Sequence, residues 1–200
     1  MNWHTWKKIW YAGRGYQLDW RILFVLAVLC VAVAAHCAEY NRAEWKLWVD
    51  EDHDGQNTRD EVLIDEALPG SVVLSADGHR VVYGVWVDPY SGQTLSGDPK
   101  QLDIDHVVPL GYVAAHGGQS WSPERKEQYA NDLSNPDHLA AVLARLNRQK
   151  GAKGPDQWVP PLASSHCWYG RAWARVVSKW DLTLSNAEWA SIGAMLVECH

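Results

Sequence analysis

Apolar residues are distributed along the chain in three ways. Between Ile22 and Ala35 they run without a break or a charge, ILFVLAVLCVAVAA. In the middle of the chain they form short β-branched runs separated by turn residues. Towards the end they recur at helical spacing, as in Trp189, Ile192, Leu196 and Cys199. Reading these patterns in order predicts a short helix over 40–49 carrying Trp45 and Trp48, then an acidic loop. A helix near 59–67 follows, with Thr58 as its N-cap. Val72–Leu74 and Arg80–Val87 read as a hairpin around Asp77-Gly78, and Asp88-Pro89-Tyr90-Ser91-Gly92 as a second turn. Leu102–Val108 is the next strand, stopped by Pro109, and a helix runs from Pro123 to Asn131. Leu139–Val142 is a short apolar run, followed by a polar helix carrying Asn147 and Lys150 and ended by Gly151, Gly154 and Pro155. Helices over 166–180 and 185–199 close the chain, the second opened by the capping box Ser185-x-x-Glu188. Strands in the middle and helices at the ends predict an α+β domain.

The unbroken apolar segment is preceded by Lys7, Lys8, Arg14 and Arg21 against Asp19 alone. Basic flank, apolar stretch and acidic sequel have the asymmetry of an export signal, with Ala32-Val33-Ala34 as a cleavage site. Extension to Ala38 gives 17 apolar-leaning residues, the low end for an uncleaved signal anchor. A buried core helix is the remaining alternative. Residues 1–38 are therefore expected to be an export signal or anchor, one hydrophobic N-terminal helix. Residues 39–200 would form an extracytoplasmic domain, secreted or held at the membrane through residues 22–38. Cys167 and Cys199 are the two cysteines of that domain. Antiparallel packing of the last two helices would bring them together in one disulfide, the alternative being two unrelated buried thiols.

Composition adds three points. The net charge of −6 argues against a protein that coats nucleic acid through bulk charge, but not against a locally basic site. The charge is uneven: Glu39 to Glu66 holds ten acids and three bases, whereas His138 to Pro155 holds Arg145, Arg148, Lys150 and Lys153 and no acid. The aromatic residues are 13 Trp, 8 Tyr and 1 Phe, and are read first as core.

The chemistry is carried by Asp103-Ile104-Asp105-His106-Val107-Val108-Pro109. A carboxylate is a hard ligand for Mg²⁺ or Mn²⁺, and a neighbouring imidazole can take a proton from water near neutral pH. Strand alternation would put Asp105 and His106 on opposite faces, so they must sit where the strand opens into a loop. Downstream come Ala130-Asn131-Asp132-Leu133, His138 at the head of the apolar run, and Asn147-Arg148-Gln149-Lys150-Gly151. In this order the chain resembles the HNH (ββα-metal) nucleases, and more narrowly the exported bacterial proteins related to the C-terminal nuclease domain of GmrSD-type restriction enzymes. The resemblance runs from about Tyr40 to Cys199. It includes Tyr40-Asn41-Arg42, Asn57-Thr58-Arg59, Gly84-x-Trp86, Asp88-Pro89-Tyr90-x-Gly92, Trp158-x-Pro160-Pro161 and Cys167-x-Tyr169.

The resemblance implies a small ββα-metal core with flanking helices, acting as a monomer on DNA rather than RNA. His106 would be the general base, and Asp105 and Asn147 would hold one divalent cation, Mg²⁺ or Mn²⁺. His138 stands where such sites usually carry Asn, so it would brace the loop or add a ligand. Lys150 and Arg148 would contact phosphates, with Arg59 also pointing to the cleft. Relatives often carry a cysteine pair near Gln56 and His79, which is missing here.

A second pattern, Asp50-x-Asp52-x-Asp54-Gly55-x5-Glu61, fits a calcium-loop template for a structural Ca²⁺. Its alternative is an acidic loop capping the helix near Thr58. The competing reading of the whole chain is a non-catalytic extracytoplasmic module: calcium-binding, or membrane-anchored with a degenerate nuclease site.

Overall fold

A computed structural model describes residues 40–199. The expected N-terminal hydrophobic helix and its cleavage site lie outside the described residues. Among those described, no helix is long and apolar enough to cross a membrane.

The fold is α+β. A 3₁₀ turn at Arg42–Trp45 replaces the helix expected over 40–49, because Lys46 takes a left-handed conformation (φ 37°) and ends it. Helix α1 (Thr58–Asp65) is capped by Asn57, whose side chain accepts from the Arg59 and Asp60 amides. Thr58, expected as that cap, is instead buried, its hydroxyl 3.0 Å from the Val49 carbonyl and from Asn131 Oδ1.

The hairpin forms as expected from β1 (Val73–Leu74) and β2 (Val81–Val87). A third strand, β3 (Thr94–Gly97), completes an antiparallel sheet in the order β1-β2-β3. This strand was missed because a four-residue edge strand of Thr, Leu, Ser and Gly has neither alternation nor β-branched density. His79 packs onto Gly55, where an added Cβ would lie 1.5 Å from its ring.

Strands β4 (Leu102–His106) and β5 (Leu139–Leu143) pair antiparallel, with Asp105 opposite Ala140 and His106 opposite Leu139. The ladder ends at His106, not at Val108 as expected. The long connection holds α2 (Leu110–Ala115) and α3 (Pro123–Ala130). Helix α2 was not predicted: four of its six residues are buried, so no polar face marks a helical period. Helix α4 (Ala144–Lys150) follows β5 directly, which makes β4, β5 and α4 a ββα unit.

One apolar cluster (Val62, Leu63, Val81, Trp86, Leu102, Ile104, Leu139 and Ala141) packs α1 against both sheets. The larger cluster joins α2 to α5 (His166–Trp180) and α6 (Asn186–Val197), with Trp45, Trp158, Trp173, Tyr90, Tyr129 and Tyr169 among its members. Most of the tryptophans described are thus core, as expected. Ser185 and Glu188 form the capping box that starts α6.

Packing of α5 on α6 brings Cys167 and Cys199 into a disulfide, with Cα atoms 5.0 Å apart across 32 residues of sequence. Closing a loop of that length restricts the unfolded chain by about 4 kcal/mol. Replacing both cysteines with serine is expected to lower the unfolding free energy by about that amount. Urea titration of both proteins under oxidising conditions checks it, and equal midpoints would refute it.

Candidate active site

The end of β4 sends two adjacent side chains in opposite directions, as alternation requires. Asp105 faces α4 and the Asp88–Gly92 turn, and His106 faces the loop after α3. Both still border one cleft of about 250 Å³, together with Tyr40, Arg42, Asn147, Gly151 and Ala152. The expected trio of Asp105, His106 and Asn147 is therefore brought to one place.

Asp105 is buried and accepts three hydrogen bonds. Lys150 Nζ donates to both of its oxygens, at 2.8 and 2.6 Å, and to the His106 carbonyl at 2.7 Å, which uses all three ammonium protons. The Tyr90 hydroxyl donates to Oδ2. Burial raises the Asp105 pKa and lowers that of Lys150, and each charge offsets the other's desolvation. Tyr90 is itself enclosed by Trp158, Trp168 and Tyr169. In the same turn, Asp88 Oδ1 accepts from the Leu143 amide at the end of β5. The Asp-Pro-Tyr turn, the Trp-x-Pro-Pro segment and the Cys-x-Tyr helix thus converge behind one carboxylate. The only mark of Tyr90 in the sequence is its place in the Asp88-Pro89-Tyr90 turn.

His106 is clamped between two aromatic rings, Trp48 (6.0 Å, interplanar angle 23°) and Tyr129 (6.1 Å, 11°). Its Nε2 lies 2.9 Å from the Ala130 carbonyl, which can only accept, so Nε2 carries the proton and Nδ1 is the basic atom. Burial, with the His138 ring nearby, holds the imidazole well below the usual histidine value, hence neutral at pH 7. Trp48 reaches its stacking position from a left-handed backbone (φ 60°), a strained conformation for a bulky residue. Asn131 holds this segment: its amide donates to Lys46 and Glu127 carbonyls and its oxygen accepts from the Val49 amide. The sequence held no signal for Trp48, because 58 residues separate it from His106.

His138 is wholly buried and does not border the cleft. Its Nε2 donates to the Tyr129 carbonyl at 2.7 Å, so it braces the loop beneath His106. Of the two roles expected for His138, brace or added ligand, its position is that of a brace, with no catalytic contact at the cleft. Burial lowers its pKa to about 4, although Asp132 pulls the other way. In the window from about 6.5 down to about 4 the unfolded chain binds the proton and the folded one does not. Its contribution is therefore complete above pH 6.5 and lost as pH falls, on the order of 3 kcal/mol in all. Unfolding free energies measured from pH 7 to 4 should fall more steeply for the wild type than for His138→Asn. Parallel curves would contradict this.

Asn147 lies at the cleft on α4, its amide donating to Asp103 Oδ2 at 3.1 Å. Its oxygen accepts none of the described hydrogen bonds. Asp105 keeps one of its roughly four acceptor positions after Lys150 and Tyr90 are counted. One carboxylate oxygen and one amide oxygen are the hard donors these two residues offer at the cleft.

Three expected contacts are not formed. Lys150 is 0 % exposed and spends its charge on Asp105, so it does not reach a phosphate. Arg59 donates to the Leu102 and Pro99 carbonyls and does not border the cleft. Arg148 is exposed on α4, also outside the cleft lining. Asp50, Asp52 and Asp54 bring carboxylate oxygens within 4.8 Å of one another, but Glu61 is not in that group. Amides of Gly55, Asp54 and Gln56 donate to those three side chains, as in an acidic loop that stabilises its own turn.

No protein-family profile matches the chain, and no solved structure matches it. An uncharacterized secreted protein of Arthroderma benhamiae is 40 % identical over 143 residues, 72 % of this chain and 68 % of the fungal one. The chain belongs to the family of that secreted protein. Membership agrees with an extracytoplasmic domain, and so does the disulfide, which persists in oxidising compartments.

Proposed function

We propose that the chain is an exported, metal-dependent endonuclease of the HNH type that hydrolyses phosphodiester bonds in DNA. The observation that carries this reading is His106: neutral, clamped, with Nε2 anchored and Nδ1 the basic atom, bordering the same cleft as Asp105 and Asn147 on a ββα unit. A base fixed by its other nitrogen is oriented before substrate arrives. Asp105 and Asn147 would hold one Mg²⁺ or Mn²⁺, which when bound would polarise the phosphodiester and steady the leaving oxygen. His106 Nδ1 would take the proton of the attacking water, and the Ala130 carbonyl would stabilise the resulting imidazolium through Nε2–H. Lys150 and Tyr90 would fix the rotamer of Asp105. Where residues 22–38 stay uncleaved, the domain would work at the outer face of the membrane.

Supercoiled plasmid incubated with the protein and Mg²⁺ tests the reading. Conversion to nicked circles that stops with EDTA and resumes with excess Mg²⁺ or Mn²⁺ is expected. Intact plasmid with either cation would contradict it.

A further inference from the structure

The positive groups of the domain are mostly spoken for. Lys46, Lys100, Lys126, Arg175 and Lys179 pair with carboxylates, and Lys150 is sealed against Asp105. Arg59 and Arg125 donate to backbone carbonyls. Arg42 differs. It is exposed, enters none of the described ion pairs, and is the one arginine among the residues that border the His106 cleft. It reaches that position because Asn41 caps the 3₁₀ turn and Trp45, fully buried, anchors the other end.

The surroundings suit a phosphate. Tyr40 borders the cleft beside Arg42, so an aromatic ring and a guanidinium line the same part of it. Two glycines also border the cleft. A Cβ on Gly111 would lie 3.0 Å from the Ala152 Cβ and 3.7 Å from the Tyr40 ring, and Gly151 needs its left-handed φ of 56°. The cleft's own acidic residue, Asp105, is paired with Lys150, and Arg42 is in none of the ion pairs among the described residues.

We propose that Arg42 is the phosphate-binding residue of this cleft, its guanidinium holding non-bridging oxygens of the phosphodiester presented to His106. The proposal builds on the nuclease reading but is separable from it. Guanidinium and phosphate meet through paired hydrogen bonds, a geometry that an ammonium does not reproduce. Phosphate contacts carry no base information, so binding here is independent of sequence.

The test is binding of a short fluorescent oligothymidylate to the full-length chain in EDTA, by anisotropy across a salt series, with cleavage assayed in parallel. Arg42→Ala is expected to weaken binding about tenfold, and to reduce the slope of log affinity against log salt by about one charge. Arg42→Lys should recover only part of the affinity. Because Arg42 is exposed, the variants should keep the wild-type melting temperature. Equal affinity and equal salt slope for Arg42→Ala and wild type would overturn the proposal even if plasmid is cut. Absence of oligonucleotide binding by the wild type would also overturn it. Arg42-dependent binding without cleavage under any metal would uphold the phosphate site and remove the nuclease reading alone.

Discussion

Lys150→Met should unfold at markedly lower denaturant than the wild type, losing about 3–5 kcal/mol. Methionine matches the length and flexibility of the lysine stem, so packing changes little. What is lost is the charge facing both oxygens of a carboxylate that is itself only 5 % exposed. The buried Asp105 is left with the Tyr90 hydroxyl alone, and must stay ionised at high cost or take a proton. A second substitution separates this from a generic packing defect. Asp105→Asn added to Lys150→Met removes the orphaned charge and keeps an oxygen for Tyr90, so most of the stability should return. DNA cleavage should not return, since the proposed ligand is gone. Urea titrations of the two single variants, the double variant and the wild type measure the coupling. A Lys150→Met protein as stable as the wild type would mean that this ion pair is not formed in the folded chain.

His106→Ala should reduce the rate of plasmid cleavage by about a thousandfold while leaving substrate affinity nearly unchanged. The ring is the group that accepts the proton, and Arg42, the proposed phosphate contact, is untouched. The pH dependence carries a second signature. Burial holds the His106 imidazole well below its usual range, so the base is already unprotonated under mildly acidic conditions. Wild-type activity should therefore persist below pH 6.5, failing only when the depressed value is approached, and it should not fall by half near the pKa of an ordinary histidine. A rate profile with its acid limb centred at about 6.5 would be inconsistent with a clamped, desolvated base.

The parts of the site that were legible in the sequence are those written in local pattern. Asp105 and His106 end an apolar strand, Asn147 lies on a polar helix closed by Gly151, and Cys167 and Cys199 sit on two helices with clear periodicity. What escaped depends on distant partners. Lys150 belongs to an acid-free basic segment and so reads as phosphate-facing. Its true partner, Asp105, lies 45 residues away and faces it across the ββα unit. The same holds for Trp48 over His106 and Tyr90 on Asp105, where the deciding fact is a ring position that no spacing encodes. Arg59 was misread because a surface arginine after a cap has no sequence mark to show that it will bind the carbonyls of Pro99 and Leu102. In the fold, α2 and β3 were missed for opposite reasons: one is too apolar to show a period, the other too short and polar to show alternation.

The most direct measurement is the initial rate of supercoiled-plasmid nicking in Mg²⁺ by the wild type and by His106→Ala, side by side, each shown to be folded by its thermal transition. The expected result is rapid nicking by the wild type and a loss of about a thousandfold in the variant. Wild-type and variant rates that are equal, or a wild type that leaves the plasmid intact, would contradict His106-dependent phosphodiester hydrolysis.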